Sequence, residues 1–210
     1  MPAAREAVIV SAVRTPMGRA HKGQFINIRI DDVGAAVVKE ALRRVPQLDP
    51  KEIEDVLIGC AMPEGEQGMN VARNISLLAG IPVSAAAATT NRFCASGLQV
   101  IMDAARAIKA GDGEVFLAGG IETMSHVPMG GFNPSLNPKL MQKGAPEAYI
   151  SMGMTAENVA KKYNVSRQDM DQFAYESHQK AVKAIKEGKF KNEIATVDVP
   201  QPDGSVKKVD

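Results

Sequence analysis

A chain of 210 residues can bury a sizeable core, and 45% apolar with 23% charged residues is an ordinary globular composition. Twenty-five basic against 24 acidic side chains leave a formal charge of +1, so no net field attracts nucleic acid or an anionic membrane surface. No apolar run approaches the roughly 18 residues needed to span a bilayer. The opening MPAAREAVIVSAVRTP has neither the build of a secretory signal nor that of a transit peptide. The expectation is a cytoplasmic protein with neither nucleic acid nor membrane as a partner. Two cysteines, Cys60 and Cys94, are too few for a disulfide framework or a metal site, so reduced thiols are expected.

In chain order, Ala7 to Val13 is a Val- and Ile-rich run that predicts a strand, ended by Arg14-Thr15-Pro16. Asp31 is a candidate N-cap for a helix in which Val33, Val37, Val38, Ala41 and Leu42 recur at helical spacing. Glu54 to Gly59 reads as a buried strand, and Asn70 to Leu78 as a helix that stops near Gly80 and Pro82. Ala85 to Thr90 predicts a strand of small residues. Leu98, Ile101, Met102, Ala105 and Ile108 then form an apolar helical stripe ending at Gly111. Glu114 to Ala118 predicts a further strand, closed by Gly119-Gly120. Strands separated by helices of this length imply a parallel sheet covered on both faces.

The pattern changes after Gly120. Residues 125 to 150 carry four prolines, several glycines and no period, which marks a functional or inserted stretch. Helices are predicted over about Thr155 to Tyr163 and Ser166 to Gly188, the second with Ser166 and Asp169 as a capping box. Ile194 to Val199 reads as a strand. A turn at Asp203-Gly204 then leads into a second strand, a hairpin that looks cut off part-way.

The chemistry concentrates in Thr89 to Gln99, TTNRFCASGLQ. It sets Cys94 at a strand-to-helix junction, where unpaired N–H groups and the positive end of the helix favour thiolate over thiol. Ala95-Ser96-Gly97 are small enough to let a substrate reach the sulfur, and the apolar stripe anchors the helix beneath it. Pattern alone favours a packed thiol, the usual fate of a free cysteine.

TTNRFCASGLQVI strongly resembles the nucleophile motif of the thiolases, N-R-x-C-x-S-G-x-Q. VIVSAVRTPMGR is similar to the family's opening strand and RTPxG turn. DVLIGCAMPEGEQGMNVARN resembles its dimer-interface segment, AGGIETMSHVPM its GGxExMSxxPM exit from the first domain, and MGMTAENVAKKYNVSRQDMDQFAYESHQKA the helical start of its loop domain. The matches occur in family order over nearly the whole chain.

The resemblance implies an α/β fold: one βα-layered half of the family's five-layer αβαβα arrangement, plus the start of the loop domain. It places an N-terminal core domain over residues 1–120 and a truncated loop domain over 121–210, with the C-terminal domain absent. It implies that Cys94 attacks the 3-keto carbon of a 3-ketoacyl-CoA and holds the shortened acyl group until free CoA removes it. That is covalent catalysis with ping-pong kinetics. Coenzyme A is then a substrate, no resident cofactor is expected, and the partners are acyl-CoA, CoA and further copies of the chain in a homodimer or homotetramer. Met152 matches a methionine that lines the family's acyl pocket, a role that plain core packing rivals.

The family's G-H-P histidine, C-x-G-G-G cysteine and N-E-A-F asparagine have no counterpart, since none of His21, His126 and His178 precedes a proline. Cys60 reads as a core thiol, His126 as a structural hydrogen-bonder, and Asn91 and Arg92 as residues that fix the nucleophile loop. The Lys180, Lys183, Lys186, Lys189 and Lys191 series reads as a solvated helix face that could also attract CoA phosphates. Three alternatives stay open: biosynthetic condensation of two acetyl-CoA molecules, an inactive module, and, as a distant third, a ketoacyl synthase.

Overall fold

The computed structural model describes residues 5–142 and 145–210. Residues 1–4 of the opening stretch, and Lys143 and Gly144 of the Pro- and Gly-rich stretch, lie outside the described residues. The chain divides into two compact units, Met1–Phe132 with Glu193–Asp210, and Asn133–Asn192. The border expected after Gly120 therefore differs from the observed one. The last 18 residues, expected in the loop domain, return to the first unit because Val197, Val199 and Val209 are buried there against Ile28 and Val33.

The first unit is built on a parallel sheet in the order β2–β1–β3, from β1 (Asp55–Gly59), β2 (Ala86–Thr90) and β3 (Phe116–Gly120). The register runs Asp55 beside Ala86 and Phe116, through Gly59 beside Thr90 and Gly120. Alternation along β1 sends Val56 and Ile58 to one face, where they join a core made with Val71, Ala72 and Ile75 of α2 (Val71–Ala79) and Val38 of α1 (Ile30–Arg43). On the other face, Gly59 meets the first turn of α3 (Ser96–Ala110). The predicted parallel sheet with helices on both faces is the observed one.

Local chemistry accounts for most of the element ends. Asn70 caps α2 by accepting from the Arg73 N–H, and Gly80 closes it in the left-handed region at φ 83°. Asp31 is not the N-cap of α1. It lies inside the first turn, held bidentately by the Arg29 guanidinium at 3.0 and 2.7 Å, while the Ile30 N–H is taken by Glu66 at 2.9 Å.

Two apolar patterns were misassigned by sequence. The buried face of α3 consists of Ser96, Val100 and Ala104, and Leu98, Ile101 and Met102 of the predicted stripe are exposed. At the start of α3 the helix backbone at Ser96 and Gly97 lies so close to β1 that residue 59 has no room for a Cβ. Ala7 to Val13 is in no ladder, and Val8, Ile9 and Val10 are exposed. This run and β3 both line an open groove of about 1000 Å³. Just past the run, an isolated bridge joins Arg14 to Ile194, formed by the Arg14 N–H to Glu193 O at 2.8 Å and the Ala195 N–H to Arg14 O at 2.7 Å. A β-branched run favours extended backbone, but a strand also needs an edge to pair with.

The C-terminal hairpin pairs β4 (Val197–Pro200) with β5 (Val206–Val209) in four matched positions. The second strand is thus formed, where the sequence suggested one just beginning.

The second unit holds α4 (Pro138–Gln142), α5 (Met152–Tyr163) and α6 (Arg167–Lys186). Ser166 and Asp169 form the predicted capping box of α6, and Asn164 closes α5 at φ 54°. Among the described residues no helix is long and apolar enough to cross a membrane.

Candidate active site

Cys94 is exposed, on the turn that joins β2 to α3. The helix begins at Ser96 with Ala95 as its N-cap, so the sulfur sits just ahead of the N-terminus of a 15-residue helix. The residue before it, Phe93, has φ 46°, a left-handed conformation that costs a non-glycine residue on the order of 1 kcal/mol or more.

Three side-chain contacts hold that turn. The Phe93 N–H donates to Asn91 Oδ1 at 2.8 Å, and the Arg92 N–H donates to Ser96 Oγ at 2.8 Å. Ser96 Oγ in turn donates to the Phe93 carbonyl at 2.6 Å. Ser96 is buried, so its hydroxyl is a fixed post inside the turn; Gly97 faces open space. The small residues expected at 95–97 therefore divide their work between bracing the turn and leaving room above it. An exposed thiol on a braced turn ahead of a helix N-terminus has the partial positive charge and unpaired N–H groups of that end close by, an environment that favours thiolate over thiol.

Asn91 also reaches outward, donating from Nδ2 to the Ala61 carbonyl at 2.9 Å. The Ala61 N–H donates to Glu122 Oε2 at 2.7 Å, and Glu122 Oε1 accepts from Gln67 Nε2. Gln67 is fully buried and saturated, with Nε2 also donating to Met62 O at 2.7 Å and Oε1 accepting from the Thr123 N–H at 3.0 Å. Sequence reading singled out neither Glu122 nor Gln67 nor the bracing role of Ser96. The available signal was the E of the GGxExMSxxPM stretch, which is Glu122, two residues past the Gly-Gly that ends the strand.

Cys60 is the opposite of Cys94. It is buried at the end of β1, and burial, reinforced by the Glu122 charge, pushes its thiol up to about 11. It is a core thiol, as its sequence context predicts. His126 bridges Glu66 Oε1 at 3.0 Å and the Ile26 carbonyl at 2.9 Å. The hydrogen bond to Glu66, then that to Ile26, raises its pKa. Two acceptors on one ring are satisfied together only by the imidazolium.

Met152 opens α5 in the second unit and is exposed there, with Ser151 as the N-cap accepting from the Met154 N–H. In the same unit Lys183 and Lys189 lie 3.8 and 3.1 Å from Glu187, an ordinary solvated arrangement. Within the 64–70 segment Met69 is almost wholly exposed at φ 54°.

The profile described as "Thiolase, N-terminal domain" matches residues 7–210. A 3-ketoacyl-CoA thiolase of Bacillus subtilis (strain 168) is 55% identical over 195 residues, covering 93% of this chain and 49% of that protein. Those of Idiomarina loihiensis and Marinobacter nauticus are 44% and 47% identical, each covering 98% of this chain and 52% of the relative. The chain thus spans about half the length of these relatives. With a match over nearly all its residues, on the α/β architecture expected of it, the chain belongs to the thiolase family, in the part of the sequence that forms the N-terminal domain.

Proposed function

We propose that this chain supplies the nucleophile of an acyltransferase that cleaves 3-ketoacyl-CoA with free CoA, giving acetyl-CoA and a shortened acyl-CoA, as in fatty-acid β-oxidation. The observation that carries the reading is an exposed Cys94 on a braced turn at the helix N-terminus, within the family's nucleophile motif. The sulfur adds to the 3-keto carbon, and the bond between C2 and C3 breaks. The acetyl-CoA fragment leaves with the electron pair and takes up a proton, which leaves the shortened acyl group as a thioester on Cys94. The thiol of CoA then attacks that thioester, loses its proton, and frees the Cys94 sulfur. CoA enters as a substrate, with no resident cofactor in the scheme.

Groups that move the protons correspond to family motifs that this chain does not contain, so the activity belongs to the whole protein. In this reading Met152 lines the acyl pocket, the 64–70 segment contributes to a homodimer or homotetramer, and the protein works in the cytoplasm. Steady-state rates on 3-ketoacyl-CoAs of short, medium and long chain test it. Thiolysis across several lengths, with a Met152→Ala change in their ranking, is the expected outcome. Strict restriction to acetoacetyl-CoA would assign the biosynthetic condensation instead.

A further inference from the structure

Glu122 lies beyond the end of β3, more than twenty residues from Cys94 in sequence, yet hydrogen bonds by way of Ala61 and Asn91 lead from it to the Phe93 N–H, one residue before Cys94. Both its carboxylate oxygens are engaged, one by the Ala61 N–H and one by Gln67. The opposite side of Ala61, its carbonyl, is the anchor for Asn91. Asn91 in turn holds the Phe93 N–H and so the left-handed residue that turns Cys94 outward. Gln67 closes the arrangement from the core side by tying Met62 to Thr123. We propose that Glu122, backed by Gln67, is a positioning residue for Cys94, acting through Ala61 and Asn91. It touches neither the sulfur of Cys94 nor the place of a reacting carbonyl; it sets the strand end from which the nucleophile turn is hung.

The physical case rests on what each group would lose. Without Glu122, the Ala61 N–H and one Gln67 amide hydrogen lose their acceptor, and Gln67 is too buried to exchange it for solvent. The end of β1 then shifts, and Asn91 must follow the Ala61 carbonyl or release it. Once Asn91 lets go of the Phe93 N–H, nothing it provides opposes relaxation of φ 46°. The sulfur then moves relative to α3, and displacements of about an ångström are enough to cost large factors in rate.

The inference rests on the reading of Cys94 as the nucleophile, and its test is independent of acyl-CoA. Alkylation of Cys94 by iodoacetamide, followed by intact mass and peptide mapping, is measured for the parent, Glu122→Ala, Asn91→Ala and the double variant, alongside thermal unfolding. Each single variant is expected to slow Cys94 alkylation by about tenfold. The double is expected to be no slower than Asn91→Ala alone, the non-additivity of residues acting in series. A purely structural role would lower the melting temperature without that coupling. Should Glu122→Ala not fold, Glu122→Gln and Asn91→Asp form a gentler cycle. Asn91→Asp keeps the acceptor for Phe93 and loses the donor to Ala61, so Glu122→Gln should then have no further effect. Unchanged alkylation in the singles, or effects that multiply in the doubles, overturn the proposal. A positive cycle with no acyl transfer would uphold the positioning role and count against the acyltransferase reading.

Discussion

The two units are held by different physics. In the first, β1 is sandwiched between α2 and α3, and Val56, Val71, Ile75 and Val100 have essentially no exposed surface. In the second, neither α5 nor α6 has a buried residue, and Phe173, Tyr175 and Ile185 are exposed. Those helices rely on local devices: the Ser166–Asp169 capping box, the left-handed Asn164, and side-chain pairs one turn apart such as Arg167 with Asp171 and Gln172 with Glu176. Each device contributes about 1 kcal/mol or less. A packed sheet therefore fixes where the Cys94 turn sits, whereas capping and short-range pairs fix only that α5 and α6 are helical.

The largest expected effect probes the packed unit. In Gly59→Ala the new methyl would lie 2.4 Å from the Ser96 carbonyl carbon and 2.6 Å from the Gly97 nitrogen, both backbone atoms. Either β1 or the start of α3 must move, at a cost of about 1–3 kcal/mol or more. Chemical denaturation should record that loss, and alkylation of Cys94 should slow with it. A silent substitution would show that α3 is not braced by β1.

In the second unit Ser166→Ala removes the hydroxyl that accepts from the Asp169 N–H, leaves the backbone half of the capping box, and should cost about 1 kcal/mol. The comparison predicts a local effect: faster amide exchange in the first turn of α6, with protection of β1 unchanged. A shared loss of protection would mean that the two units unfold as one.

The smallest effect concerns pH. His126, raised by Glu66 and the Ile26 carbonyl, contributes stability that is fully present below the unfolded value of about 6.5. That contribution is lost as pH rises through the higher folded value. Because the ring is partly exposed, the effect should be a fraction of 1 kcal/mol. In His126→Gln the fall in stability from mildly acidic to mildly alkaline pH should flatten, a change readable in paired melting curves.

How much of this was legible depends on the distance over which each feature is specified. The helix α2 could be read from Asn70 and Gly80, and the capping box of α6 from four consecutive residues, because the determining contacts are local. The three strands were placed to within about two residues by their composition. The face of α3 is not legible because Val100 and Ala104 offer a second apolar side beside the Leu98, Ile101 and Met102 stripe, and only packing in the fold buries the former. The strand expected at Ala7 to Val13 had the right composition, but it lies in no ladder. Cys94 stood out through its motif. The supports of its turn did not, since Asn91, Ala61, Gln67 and Glu122 are separated by up to 61 positions and meet only in the fold.

The central claim is that Cys94 carries the acyl group, and intact-mass analysis of the protein mixed with acetoacetyl-CoA, with Cys94→Ala in parallel, tests it most directly. The account predicts an acetyl adduct that maps to Cys94 and is missing from the variant. A folded parent that gains no adduct, or an adduct that survives Cys94→Ala, would contradict it.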